Sequence, residues 1–299
     1  MFNQSYQAKR GRIGLLFISP WLVGFVLLKL VPIIASFVFS LTDFNMLKPQ
    51  NISFIGLANY AAIARDETMW AVLFSTVGLA VTTVPLQLVF ALCLAALLSN
   101  EAIVGRNLYR TLIFLPSIIP GVAVFSVWAG FVDPGSGWLN RLIMEPLNLP
   151  PYPGVRSESG RNLLIIMLSL WNIGPSFLIL SGAMMGVPKE LYEAARVDGA
   201  GPVYRLLNIT LPVISPAIFF SLLISLITVF GGSVLLDRSI SISGGGQSPM
   251  DGYIAEMMFG KQALGYAAGL SWVMFVIVMI VTIYLFKTAD KWVFYPVSD

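Results

Sequence analysis

The chain has 299 residues, 57% of them hydrophobic and 11% charged, with no histidine, one cysteine and a formal charge of +3. Soluble domains carry about 25% charged residues, so this sequence cannot coat a globule of its size with a water-compatible surface and reads as an integral membrane protein. The missing histidine excludes imidazole bases and histidine metal ligands, the lone Cys93 excludes internal disulfides and cysteine-cluster metal sites, and so small a charge argues against a nucleic-acid binder.

A spanning helix needs about 20 mostly apolar residues. Six stretches meet that length: Ile13–Leu41, Trp70–Leu98, Tyr109–Val132, Leu163–Gly186, Val213–Leu236 and Tyr266–Phe286. The expected fold is therefore all-α, a polytopic membrane protein of six transmembrane helices forming one transmembrane domain over residues 1–299.

The first stretch follows Lys9, Arg10 and Arg12 but is too long for a cleaved signal and is read as a retained span. It carries Lys29, the one charge well inside a span, flanked by Pro20 and Pro32. An intramembrane lysine marks either a transport pathway or a structural pairing or snorkelling contact. In the second stretch, Cys93 among Ala91-Leu92-Cys93-Leu94-Ala95 reads as packing and Gln87 as a candidate polar pathway residue. Trp128 in the third stretch is a weaker candidate or an interface anchor.

The fourth stretch holds the densest polar group, Ser169, Trp171, Asn172 and Ser176, with Gly174-Pro175 expected to open the helix and free backbone groups. Polar groups inside a span are sparse and tend to face a cavity, so this cluster is the best candidate to line a pathway; helix–helix bonding by small polar residues is its duller explanation. Ser233 in the fifth stretch is a weak addition. With the N-terminus inside, the inner segments carry ten Lys and Arg against six acids, and the outer ones seven against nine. That bias places both termini in the cytoplasm.

One inner loop is longer than the rest. Residues 187–212 open Val187-Pro188-Lys189-Glu190-Leu191-Tyr192-Glu193-Ala194-Ala195-Arg196 and then reach Asp198-Gly199. Pro188 suits a first turn, the acids suit the positive end of the helix dipole, and Asp198-Gly199 should end the helix. Pro202 can start a second short helix. Small Ala194 and Ala195 leave a low face, with Glu193 and Arg196 one turn apart at its edge.

Glu193-Ala194-Ala195, three residues, Gly199, nine residues and then Ile209-x-Leu211-Pro212 resembles the EAA signature of permease subunits in bacterial ABC importers. Ser40-Leu41-Thr42-Asp43-Phe44, Phe54-Ile55-Gly56-Leu57-Ala58-Asn59-Tyr60, Arg110–Pro116 and Gly244-Gly245-Gly246 before Tyr253-Ile254 are similar to the carbohydrate-uptake branch, of the maltose and glycerol-phosphate permease type. The resemblance runs from Ile13 to Phe286; the stretch from Phe230 to Ile240 departs from it.

It implies a type I importer permease in the bacterial cytoplasmic membrane, with 187–212 as a coupling loop docked on a separate ATPase. By that resemblance Glu193, Ala194, Ala195, Arg196, Asp198 and Gly199 carry coupling, Glu193 through a charged contact and Gly199 through the bend. It also implies a second permease subunit, favouring a heterodimer, two ATP-binding subunits that hold ATP and Mg, and an extracytoplasmic solute-binding protein. The chain itself lacks a P-loop, since its one Gly-Lys pair, Gly260-Lys261, is followed by Gln262 and has Ala255 where the first glycine belongs. It is expected to bind no cofactor or metal and to have no catalytic residue.

The cargo read from the resemblance is a sugar, oligosaccharide or polyol. The rivals are an ABC permease for a non-sugar solute, an ion-coupled secondary carrier, and a membrane enzyme. A carrier favours inverted repeats and mid-span acids, and an enzyme needs paired acids or histidines; neither pattern is visible.

Overall fold

The computed structural model describes residues 16–99, 103–154, 157–231 and 249–294. The described residues form helices joined by turns and irregular loops, and the β pairing among them is limited to two isolated bridges, Thr42 with Phe54 and Asn45 with Ala263. They fall into two compact units, one of residues up to Asp66 with Met257–Val273, the other Glu67–Glu256 with the residues from Met274 onward.

The first unit contains α1 (Leu16–Ser40) and the short α2 (Ala58–Arg65). The loop between them is pinned by polar groups. Asn59 Nδ2 donates to the carbonyls of Ser40 and Thr42, both at 2.8 Å, and Tyr266 donates its hydroxyl to Asp66 Oδ2 at 2.6 Å. Ser53 gives its amide and hydroxyl to Asp43, and the amide bond first, then the hydroxyl, holds that carboxyl below its ordinary value. Along α1 itself the apolar window has none of its residues buried, and Lys29 is exposed.

The second unit is built on α3 (Glu67–Ser99), at 33 residues roughly 50 Å long by helical rise. Against it pack α7 (Gly174–Met185), α6 (Glu158–Trp171) and α10 (Ser215–Gly231). The α3–α7 seam is set by small residues: Ala91 and Ala95, both fully buried, let Phe177 and Leu180 seat against the α3 backbone. Cys93, expected to pack, is exposed instead, because two residues along a helix turn it about 200° away from the Ala91–Ala95 stripe.

All six expected stretches have helical counterparts, but among the described residues not all of them are single unbroken helices. Leu16–Ser40, Glu67–Ser99, Ser159–Met185 and α12 (Leu264–Ala289) are each long and apolar enough to cross a membrane. A fifth forms if α9 (Pro202–Val213) and Ser215–Phe230 are taken together, across a bend of 68°. The third expected stretch, Tyr109–Val132, is a broken helix. There α4 (Arg106–Phe114) passes into a 3₁₀ turn over Leu115–Ile118, and α5 (Gly121–Phe131) restarts after an extended Ile119. Pro116 and Pro120 supply no amide hydrogen, and Ile119, the residue before Pro120, is pushed out of the helical region.

Proline also explains three widened turns. Val26–Leu30, Asn140–Met144 and Leu206–Thr210 are π-helical, and each ends two residues before a proline: Pro32, Pro146 and Pro212. A proline ring presses on the carbonyl four residues back. In each case the residue before it bonds five back, Val31 to Val26, Glu145 to Asn140 and Leu211 to Leu206, which loosens the turn that the ring would strain.

The connection after α5 is a rigid knot. Asn140 donates to Pro134 O and accepts the Tyr152 amide, while the buried Tyr152 donates its hydroxyl to Gly160 O. Burial raises the Tyr152 hydroxyl above its ordinary value.

Candidate functional site

The loop after α7 folds into α8 (Lys189–Val197), capped by Pro188 in an extended conformation. Its end is a Schellman motif. Gly199 takes φ +76°, its amide bonds Arg196 O at 3.0 Å, and the Ala200 amide bonds Ala195 O at 2.8 Å. A Cβ on Gly199 would meet no neighbour, so the glycine answers to the backbone angle alone.

The helix has two characters. Its inner side carries Tyr192, whose hydroxyl shares a 2.7 Å hydrogen bond with Thr210 Oγ1 and whose ring packs on the α3–α7 core. Opposite lie Leu191, Ala194 and Val197, all exposed, with Val197 at 88%. These positions recur every three residues and form an uncovered apolar strip on a helix too short to cross a membrane. Glu190 sits in the first turn and Arg196 in the last, the orientation the helix dipole favours. Asp198 caps the end, and Ala195 is half-buried.

Glu193 and Arg196 line a cleft of about 870 Å³ between α8, α9 and the ends of α3 and α7. Arg106, Lys189 and Arg205 share its wall. The sequence reading missed Arg106 and Arg205. Both were counted only as inward-biasing charges, because nothing local to Arg106 says that α4 starts beside residues almost a hundred positions later.

The pathway candidates divide. Trp128 and Trp171 meet edge to face, with ring centroids 5.5 Å apart, and Phe131 joins Trp128 at 5.6 Å. Gln87 Nε2 reaches Asn172 O at 3.5 Å, so these four come together at the interruption between α6 and α7. That interruption lies where Gly174-Pro175 led it to be expected: α6 ends at Trp171, and α7 restarts at Gly174 with Pro175 in its first turn. Asn172 and Trp171 are exposed. Ser169 donates to Ile166 O on its own helix at 2.7 Å, and Ser176 is buried. Lys29 belongs to the first unit, on α1. Ser233 lies outside the described residues, as do Gly244-Gly245-Gly246.

Apolar helices interrupted at prolines, with a short amphipathic helix beyond them, suit a membrane protein that moves a solute. The chain belongs to the family described as binding-protein-dependent transport system inner membrane component, which matches residues 87–293.

It is 36% identical over 294 residues to the probable ABC transporter permease protein YesP of Bacillus subtilis (strain 168), covering 96% of this chain and 93% of that protein. To the arabinooligosaccharides transport system permease protein AraP of the same organism it is 28% identical over 280 residues, covering 92% and 88%. Its fold matches a chain in the crystal structure of a bacterial alginate ABC transporter in complex with alginate pentasaccharide-bound periplasmic protein. The TM-score there is 0.79 at 18% identity, with 96% of each chain covered. The protein is thus a multi-pass inner-membrane permease of a binding-protein-dependent ABC transport system, and the carrier and membrane-enzyme readings fall away.

Proposed function

We propose that this permease forms one half of the pathway of an ATP-driven importer for a sugar, oligosaccharide or related polyol. In this reading α8 is the handle that a separate ATPase grips. The observation that carries it is the exposed strip Leu191, Ala194 and Val197 on a helix anchored from behind by Tyr192. An apolar strip in water needs a cover, and a lever needs a firm attachment on its other side. Glu193 flanks the strip for a charged contact, and Gly199 fixes the angle at which α8 leaves α9.

A second permease subunit, two ATP-binding subunits holding ATP and Mg, and a solute-binding protein complete the assembly. ATPase closure would pull on α8 and rock the spans between inward-facing and outward-facing states. The lysine and arginine bias supports both termini and α8 lying in the cytoplasm. The sugar cargo is supported by the name of the relative AraP. The Trp128–Trp171 pair with Gln87 and Asn172 supplies an aromatic face and amide groups suited to a polyol.

Val197→Asp tests the handle. The expected result is a chain that inserts and melts normally yet no longer co-purifies with its ATPase, and uptake falls at least tenfold. Retained ATPase with unchanged uptake would overturn the reading, and so would ion-driven uptake by this chain alone in liposomes. Asn172→Leu is expected to alter uptake while leaving subunit assembly intact. Identifying the solute held by the cognate binding protein decides the cargo, and a non-sugar there would correct it.

A further inference from the structure

The apolar strip of α8 does not account for the charge behind it. Three arginines, Arg106, Arg196 and Arg205, line the cleft together with Glu193. The Arg205 Nε is buried and meets no hydrogen-bond acceptor. A guanidinium nitrogen withdrawn from water without an acceptor, beside two further arginines, points to an oxygen-rich anion as the missing partner.

The depth of the cleft narrows the choice. Ser99 is the last residue of α3, and Met185 the last of α7, and both line it. The cleft therefore opens at the ends of two apolar helices. Its wall also includes Ala96, Met184, Val187 and Leu206, an apolar surface that a free inorganic anion would not use. Basic pockets between spans on the cytoplasmic side suit anionic headgroups.

We propose that this cleft binds the phosphate of an anionic phospholipid, with Arg106 and Arg205 as its main donors and Arg196 closing over it. The three arginines stand on three different elements, α4, α9 and α8. One phosphate bridging them ties the handle to the span ends. Lipid charge thereby sets how stiffly α8 is held.

The test is native mass spectrometry of the purified full chain, titrated with phosphatidylglycerol, with phosphatidylcholine of matched acyl chains, and with inorganic phosphate. Phosphatidylglycerol is expected to bind preferentially, and each arginine removed should weaken it about fivefold. The double variant R106Q/R205Q should lose the preference, and K261Q, a cation placed elsewhere, should keep it. Should the double variant fail to fold, the exposed Arg196→Gln gives the same reading.

Equal binding of the two lipids, or a preference that survives R106Q/R205Q, overturns the proposal. Arginine-dependent binding of inorganic phosphate without any lipid preference overturns the lipid assignment. Displacement of the lipid when the ATPase is added would show that a protein group fills the cleft in the assembly, and also overturns it. Lipid binding to the chain alone does not depend on α8 being the ATPase handle, so the failure of either idea leaves the other standing.

Discussion

Two helix interruptions in the second unit use the same residue types for opposite reasons. At Asn172–Gly174 the chain breaks inside a span, and at Asp198–Gly201 it breaks beyond one. Gly174 has no positive φ, but a Cβ there would overlap Ser117 Oγ and stand 3.1 Å from Phe114 Cα. Gly199 has φ +76° and open space around it. The first glycine is required by a neighbouring helix, the second by its own backbone. The contrast separates a break built for close packing, at the candidate pathway, from one built for an exit angle, at the candidate handle.

The largest effect should come from Gly174→Ala. Overpacking against α4 is expected to destabilise the chain by about 1–3 kcal/mol, read as a lower melting temperature of the purified protein. Adding Ser117→Ala should recover only part of the loss, since the Phe114 backbone remains. A wild-type melting temperature for Gly174→Ala would break the comparison.

Gly199→Ala comes next, with strain of about 1–2 kcal/mol for a Cβ in the left-handed region. The Schellman bonds resist it, so uptake should fall further than melting temperature does. Gly199→Asn should be milder, because asparagine tolerates that region better. If alanine and asparagine behave alike, backbone strain is not what Gly199 relieves.

Tyr192→Phe removes the bond to Thr210 while keeping the ring. The expected cost is about 1 kcal/mol, with weaker coupling of ATPase turnover to uptake as the sharper readout.

The smallest effect concerns pH. The Asp43 carboxyl lies below its ordinary value of 3.8 because it accepts from Ser53, so its contribution is full above that value and is lost as pH falls through the lowered one. The protection factor of the Ser53 amide, its exchange rate relative to the intrinsic rate at each pH, should therefore be flat from neutral pH down to the ordinary aspartate range and fall only below it. A change near neutrality would rule out this pairing as the cause.

Much of the site was legible along the chain. Pro188, the acids of the first turn, Asp198-Gly199 and Pro202 announce a short helix, its stop and a restart, because caps and proline act within a few residues. Gly174-Pro175 announced the mid-span break for the same reason. Less legible was the third apolar stretch. Its hydropathy suits a span, yet Pro116 and Pro120 break it, since hydropathy averages over a window while a missing amide acts at one position. Cys93 was misplaced because its neighbours' burial depends on which side of α3 meets α7.

Composition and local backbone chemistry thus determined that this protein lives in a membrane, where its helices start and stop, and that one short helix stands outside the spans. Those properties follow from solvent transfer and from bonds between residues a few positions apart. Only the tertiary structure decided that Tyr192 anchors α8 to Thr210, that Trp128 meets Trp171, and that Arg106, Arg196 and Arg205 surround one cleft. Each of those contacts joins elements distant in the chain, and which faces meet is settled by how small residues such as Ala91, Ala95 and Gly174 let the helices approach.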